Sequence, residues 1–160
     1  MIDRWLEDVL TGKRPKQALV VYTATRGGGK SVFARLFSAL LPRDATAHAY
    51  SFHLPPSTRF NQIIEGKRLV VVDEFNERTA PGLLKKWITS DKIGIHSKGH
   101  DFREAPNVSA FLLLASAPIE FPMNERRFIQ CSALEAFAHL ALVLERLNLS
   151  NAIKQESQNG

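Results

Sequence analysis

The sequence predicts an α/β fold in which a mostly parallel sheet lies between helices. Short apolar runs rich in β-branched residues have the length of strands that are buried on both faces. Amphipathic runs with helical spacing separate these strands, and glycine, proline and polar turn residues divide the two kinds of run. The predicted strands are residues 18–21, 45–52, 67–74, 108–115 and 128–132, and the predicted helices are residues 2–11, 32–41 and 79–88 and a terminal helix from 133.

Length and composition narrow the class of protein. The 160 residues are enough for one domain, and 44% hydrophobic with 23% charged residues exclude a fibrous or disordered chain. The apolar runs are too short to cross a bilayer and the amino terminus lacks a signal-peptide core, so we expect a cytoplasmic protein with no membrane partner. The single cysteine, Cys131, excludes an internal disulfide. We expect one domain over residues 1–149 and a frayed tail over 150–160.

The strongest motif lies between the first strand and the next helix. Residues 22–35 read Tyr-Thr-Ala-Thr-Arg-Gly-Gly-Gly-Lys-Ser-Val-Phe-Ala-Arg. A strand, a glycine loop and a helix in this order are typical of a phosphate-binding loop, whose backbone N–H groups surround a polyphosphate at a helix N-terminus. The alternative is a glycine turn before a helix that happens to start with Lys-Ser.

In a phosphate-binding loop, each residue type has a defined role. Lys30 would reach the β- and γ-phosphates, and the Ser31 hydroxyl would coordinate Mg²⁺. The usual first glycine is replaced by Ala24, which has the smallest side chain available. The predicted nucleotide contacts are Ala24, Thr25, Arg26, Gly27, Gly28, Gly29, Lys30, Ser31 and Val32.

A pair of carboxylates, Asp73 and Glu74, follows the buried strand at residues 69–72. The carboxyl ends of strands are where open α/β sheets bind ligands. Asp73 is placed to hold Mg²⁺, directly or through water, and Glu74 to polarise a water for attack on a γ-phosphate. The alternative is an acidic pair that merely begins a loop. Together with the glycine loop, the pair predicts metal-assisted phosphoryl transfer.

Residues 90–104 read as a β-hairpin with its tip at residues 97–100. Five Lys/Arg against two Asp between residues 85 and 103 give a local net charge of +3. Lys98 and His100 could pair with phosphates, while Phe102 offers a flat surface for a base or sugar. The chain's net charge of +5 also favours nucleic acid. The alternatives are an ordinary polar hairpin tip and a generic basic surface.

Two further stretches have simpler interpretations. Residues 13–16, Lys-Arg-Pro-Lys, are interpreted as a solvated linker, because three cations are too few for a nucleic-acid patch. A capping box from Ser132 to Glu135 opens the terminal helix. The predicted apolar face of that helix consists of Phe137, Leu140, Ala141, Leu144 and Leu147.

With these pieces in order, the chain resembles the superfamily 3 helicases, which are compact AAA+-type ATPases of viruses, phages and mobile elements. It is most similar to the helicase portion of phage and plasmid primase-helicase proteins. The resemblance implies an AAA+-like P-loop three-layer sandwich with a five-stranded central sheet and an inserted hairpin. It rests on residues 24–31 as Walker A and 70–74 as Walker B. It also rests on 114–116 as the sensor strand, 98–100 as the loop motif between Walker B and the sensor strand, and 126–128 as the arginine-finger motif.

The resemblance also implies an activity: an ATP-driven DNA helicase or translocase, usually a hexameric ring, with ATP and Mg²⁺ between subunits and single-stranded DNA in the pore. Lys98, Gly99, His100 and the nearby Phe102 would lie on a pore hairpin that grips DNA. Arg127, together with Arg126, would reach the neighbouring subunit's site, and Ser116 would end the sensor strand. A primase or another replication protein would be a further partner, in the cytoplasm of a bacterial host.

Two departures from that family favour an alternative function. The sensor strand usually ends in Ser-Asn or Thr-Asn, whereas this chain has Ser116-Ala117. One short helix precedes the first strand, where these helicases usually carry an oligomerisation bundle or a primase domain. The alternative is a non-motor protein that binds nucleotide and DNA, as a replication accessory or regulatory protein, with weak or no hydrolysis. A third interpretation, a small-molecule kinase, requires a lid that the sequence does not show.

Overall fold

The central sheet consists of five parallel strands in the computed structural model, which describes residues 1–50, 62–76 and 82–159. The elements are α1 (Ile2–Leu10), β1 (Ala18–Tyr22), α2 (Lys30–Ala39), β2 (Thr46–Tyr50), β3 (Leu69–Asp73), α3 (Gly82–Thr89), β4 (Lys92–Ile95), β5 (Arg103–Pro106), β6 (Ala110–Ala115), β7 (Phe128–Ser132) and α4 (Ala133–Asn159). The strand order is β2-β3-β6-β1-β7, while β4 and β5 form a separate antiparallel hairpin. The predicted α/β architecture with a mostly parallel five-stranded sheet is therefore confirmed, as is the hairpin.

Side chains of β6 alternate between two buried clusters, one on each face of the sheet. Leu112 and Leu114 belong to the cluster formed with α1, α2 and α4. Phe111 and Leu113 belong to the cluster formed with α3 and the hairpin. A strand covered on both faces needs apolar residues at every position, which explains the continuous apolar run in the sequence.

Strand register aligns the ends of the three central strands. Val20 of β1 lies opposite Leu113 of β6, and Leu113 lies opposite Val72 of β3. Because these strands are parallel, the segments that follow them emerge at the same edge, which we call the carboxyl edge of the sheet. The starts of the strands form the opposite, amino edge.

Helix α4 begins as predicted but ends later. The backbone N–H of Ser132 donates to Glu135 Oε2 (2.8 Å), and that of Glu135 donates to Ser132 Oγ (3.2 Å), which confirms the capping box. Leu140 is buried as predicted. Ala141 is exposed, so the prediction that Ala141 lies on the apolar face was wrong. Residues 150–159, where a frayed tail is expected, continue helix α4 and contain no glycine or proline.

Parts of two predicted elements lie outside the described residues. These are the end of the strand predicted over 45–52 and the start of the helix predicted over 79–88. Within the described part of the chain, no helix has both the length and the apolar character needed to cross a membrane.

Arg14 is not part of a solvated linker, because its side chain is only 12% exposed. Its guanidinium donates to three backbone carbonyls at the C-terminus of α3 and to one carbonyl just before β6. The acceptors are Trp87 (3.1 Å), Ile88 (2.8 Å), Ser90 (2.9 Å) and Ser109 (3.2 Å). Burial lowers the pKa of Arg14, while the Asp91 carboxylate opposes that shift. Arg14 therefore caps α3 and joins it to the sheet.

Replacing Arg14 with Met is expected to destabilise the fold by about 2 to 4 kcal/mol, because several buried carbonyls lose a charged donor while the aliphatic stem is kept. Urea unfolding at neutral pH would measure the loss. The matched control is Lys13→Met, at an exposed neighbouring position. Equal stability of the two variants would contradict the capping role.

Candidate functional site

The glycine loop connects β1 to α2 at the carboxyl edge of the sheet. Gly27 and Gly29 have φ values of +78° and +91°, which residues with side chains rarely adopt. Gly28 is required by space: an added Cβ would lie 2.7 Å from the Thr23 side chain. The Gly28 N–H donates to the Thr25 carbonyl at 3.1 Å, closing a tight turn. The three glycines therefore set the path of this loop.

A cavity of about 410 Å³ lies along the loop. All nine predicted nucleotide contacts line it, together with Thr23 from the end of β1 and Ser116 from the end of β6. The lining residues are Thr23, Ala24, Thr25, Arg26, Gly27, Gly28, Gly29, Lys30, Ser31, Val32 and Ser116. The structure thus brings the loop and the predicted sensor residue Ser116 together.

The N-terminus of α2 faces this cavity without a cap of its own. Helix α2 starts at Lys30, its N-cap residue Gly29 has no side chain, and its first turn contains no acidic residue. The first N–H groups of a helix carry partial positive charge and need acceptors. Lys30 adds an ammonium group, which donates to Ser116 Oγ at 3.1 Å. The arrangement suits an anion with several oxygens, such as a polyphosphate.

The carboxylates lie beside this cavity without lining it. Asp73 ends β3, which is two strands away from β1, or about 10 Å at the usual strand spacing. Its Oδ1 accepts a hydrogen bond from the backbone N–H of Glu74 at 2.8 Å. Glu74 is exposed and has φ of +56°, a strained conformation for a residue with a side chain. Neither residue is among those that line the 410 Å³ cavity.

Arg126 and Arg127 lie at the amino edge of the sheet. The Arg127 carbonyl accepts from the N–H of Ala18, the first residue of β1. A five-residue strand separates this point from the glycine loop, a length of roughly 17 Å at about 3.3 Å per residue. The structure therefore does not bring these arginines together with the cavity of their own chain.

Arg127 forms an ion pair with Glu125, a residue that is not part of any motif in the sequence. Its Nε donates to Glu125 Oε1 (2.7 Å) and its Nη2 to Oε2 (2.8 Å), while Lys85 Nζ lies 3.0 Å from Oε2. The Glu125 side chain is 3% exposed. The hydrogen bonds from Arg127, assisted by Lys85, lower the pKa of Glu125 to about 2. We call Lys85, Glu125 and Arg127 the ion triad.

The hairpin presents the predicted DNA contacts at an exposed tip. Lys98, Gly99 and His100 are exposed, and Phe102 is 59% exposed with its ring 4.9 Å from that of His96. The local positive charge is smaller than the sequence implies. Lys85 pairs with Glu125, and Arg103 forms a two-pronged ion pair with Glu65, which sequence spacing could not reveal.

A family model described as "Family of unknown function (DUF5906)" matches residues 21–127, which is more than half of the chain. The chain belongs to this family. The matched range of this DUF5906 protein begins at the end of β1 and ends at Arg127, so it includes the glycine loop, the acidic pair and the hairpin. No curated protein matches the sequence.

Three solved apo structures of the NrS-1 C-terminal region have a similar fold. They share 21%, 19% and 20% sequence identity with this DUF5906 protein, with TM-scores of 0.66, 0.69 and 0.65. The alignments cover 82%, 89% and 87% of this chain but only 31%, 38% and 36% of the NrS-1 chains. The chain thus spans about a third of the length of that region.

Proposed function

We propose that this DUF5906 protein is a P-loop ATPase that works as an ATP-driven DNA helicase or translocase of a phage or mobile element. The observation that carries the proposal is the uncapped start of α2, with Lys30 beside it, at a cavity lined by the glycine loop. The cavity volume of about 410 Å³ falls within the usual range for small-ligand sites. Backbone N–H groups and one ammonium are the donors that a triphosphate requires.

The residues around the cavity supply the remaining groups for hydrolysis. The Ser31 hydroxyl, in the first turn of α2, and Asp73 would hold Mg²⁺, which neutralises charge on phosphate oxygens when bound. Asp73 fits this role because, among the described residues, its carboxylate accepts only the Glu74 N–H, through Oδ1, so Oδ2 is left for the metal or its water. The Glu74 carboxylate would orient the attacking water and accept its proton. The Ser116 hydroxyl accepts a hydrogen bond from the Lys30 ammonium group and so holds it at the cavity.

Arg126 is the better of the two arginines for action on a neighbouring subunit. Arg127 is held in the ion triad, whereas the exposed Arg126 makes no ion pair among the described residues. The Arg126 carbonyl accepts from Gln17 Nε2 at 2.8 Å, which positions its backbone at the amino edge. From there its guanidinium can reach a nucleotide only if that nucleotide is bound by another copy. This geometry supports ATP sites between subunits of a ring, usually a hexamer in the helicases that the sequence resembles.

Arg126→Ala is expected to lower ATP hydrolysis by about 10³-fold or more without weakening nucleotide binding, because a finger in trans acts on the transition state. Mixing it with Lys30→Ala subunits should restore part of the activity, since the mixed interface contains one intact Lys30 and one intact Arg126. Steady-state hydrolysis across mixing ratios would measure this effect. Absence of restoration, or full activity of a strictly monomeric preparation, would refute the trans role.

The proposed nucleic-acid substrate is single-stranded DNA, which would bind to Lys98, His100 and Phe102 at the hairpin tip. Exposed cations beside an exposed aromatic ring are the usual elements of a single-strand contact. A primase or another replication protein is a further proposed partner.

The deciding experiment measures both hydrolysis and assembly. ATP turnover with and without single-stranded DNA should show stimulation by DNA, and Glu74→Gln should abolish turnover while retaining ATP. Native mass measurement with an ATP analogue and DNA should show a closed ring. Failure of the wild-type protein to bind nucleotide would refute the ATPase proposal itself.

Ala117 favours a second candidate, a non-motor accessory or regulatory protein that binds nucleotide and DNA. It follows Ser116 at the end of β6 and has no side-chain amide to orient a water. Glu74 also lies outside the lining of the cavity. Retained affinity for ATP and DNA with negligible turnover would select this candidate over the motor.

A further inference from the structure

A second open groove, of about 530 Å³, lies at the outer edge of the sheet. It runs between the C-terminal half of α2 and β2, which is an edge strand among the described strands because it pairs there only with β3. It shares no lining residue with the cavity at the glycine loop. The side chains that matter are Arg35 and Ser38 from α2, Arg43 and Asp44 from the connection, and Thr46 and His48 from β2.

Positive charge dominates this groove. Arg35, Arg43 and His48 are exposed, and neither arginine forms an ion pair within the described part of the chain. Lys67 adds a further cation, because its Nζ donates to the Asp44 carbonyl at 2.7 Å. Among the described residues of the lining, Asp44 carries the one acidic group. The guanidinium groups are therefore available to an external anion.

A hydroxyl group in the groove also lacks a partner. Thr46 Oγ1 is buried and has no hydrogen-bond partner among the described residues, which is unusual because buried polar groups are normally satisfied. The Ser38 hydroxyl is different, since it donates to the Ala34 carbonyl at 2.7 Å. Thr46 lines the groove beside two guanidinium groups, but its Oγ1 is shielded from solvent, so the side chain must rotate before the hydroxyl can donate to an oxygen that enters there. Phosphate oxygens accept from both kinds of donor.

We propose that this groove binds a phosphate of a single-stranded nucleic acid backbone, as a contact separate from the hairpin. The groove is open along the sheet edge, its arginines are exposed, and the chain carries a net charge of +5, all of which suit a polyanion that passes across a surface. A free phosphate has the same local chemistry, so the experiment must distinguish the two sources. The proposal does not depend on ATP hydrolysis, because the groove and the glycine loop have no residue in common.

The double variant Arg35→Gln/Arg43→Gln is expected to weaken binding of a labelled single-stranded oligonucleotide and to reduce its salt dependence. Two lost phosphate contacts should lower the slope of log K against log salt by about 1.4, at about 0.7 per contact. Fluorescence anisotropy over a salt series would measure the slope. The matched control, Arg4→Gln/Lys154→Gln, removes two exposed charges elsewhere and should leave the slope unchanged.

Thr46→Val tests the hydroxyl separately. It should weaken oligonucleotide binding by about 5- to 10-fold while leaving thermal stability equal or higher, because it removes an unsatisfied buried group. A purely structural role for Thr46 would lower stability instead.

Inorganic phosphate provides the second arm of the test. Chemical shifts of the Arg43 and Thr46 amides during a phosphate titration would report binding of the free anion. Such shifts with an unchanged oligonucleotide slope in the double variant would overturn the nucleic-acid proposal and leave a site for a small phosphate ligand. Absence of both the chemical-shift changes and the slope change would overturn the site itself. The same slope change in a Lys30→Ala background would support the groove even if the ATPase proposal failed.

Discussion

Gly28→Ala is expected to abolish high-affinity nucleotide binding while the protein remains folded. The added Cβ would lie 2.7 Å from both Cβ and Cγ2 of Thr23 and 3.1 Å from the Thr25 carbonyl oxygen. The loop must move to relieve these contacts, and its N–H groups then lose their common direction. We expect at least about 100-fold weaker binding, since several charge-assisted hydrogen bonds of about 1.5 to 3 kcal/mol each depend on that path.

The measurement is titration with a fluorescent ATP analogue, accompanied by urea unfolding. Gly82→Ala is the matched control, because an added Cβ at Gly82 meets no atom of the described residues within 4 Å and the residue begins α3. It should bind nucleotide normally. Lys30→Ala separates charge from shape: the loop is kept, one ammonium donor is lost, and affinity should fall by about 10- to 100-fold. Normal binding by Gly28→Ala would show that nucleotide does not use this loop.

Glu125→Gln is expected to destabilise the fold by about 2 to 3 kcal/mol at pH 7. The substitution keeps the shape of the side chain but leaves Arg127 and Lys85 without their common anion. The pKa of Glu125 is about 2 in the folded protein, against 4.5 ordinarily. Its contribution is therefore fully present above pH 4.5 and is lost as pH falls toward 2.

Urea unfolding at pH 7, 5, 4 and 3 would test this pH dependence. The difference between wild type and Glu125→Gln should be constant at the two higher values and should shrink at the two lower ones. The control is Glu120→Gln, at an exposed position in the same loop, which should track the wild type at every pH. A difference that stayed constant down to pH 3 would contradict the stabilising role of the charged carboxylate.

The sheet was predictable because its signal is local. A strand covered on both faces must be apolar at nearly every position, as β3 and β6 are. The glycine loop was predictable for a related reason, since the curl of the chain requires glycine where φ is positive, as at Gly27 and Gly29. Both inferences require only a few consecutive residues.

Long-range partners were not predictable from spacing. Arg14 stands between two lysines in sequence, and only the folded chain brings it to α3, more than 70 residues away. Glu125 lies close to Arg127 in sequence, but its burial and its contact with Lys85 depend on the position of α3. The apolar pattern also does not decide burial in α2, where Leu36 is 45% exposed although its spacing suits the core.

The parallel direction of all five strands gives the molecule a polarity. The glycine loop lies at one edge and Arg126 at the other, so under the proposed trans role of Arg126 each copy would have one face that accepts a finger and one that supplies it. Copies that associate through these faces must do so head to tail, which produces either a closed ring or an open filament. An open row would then contain one copy whose proposed nucleotide site lacks an incoming arginine, whereas a ring would contain none. The rate of ATP hydrolysis per subunit would then rise when an open row closes into a ring.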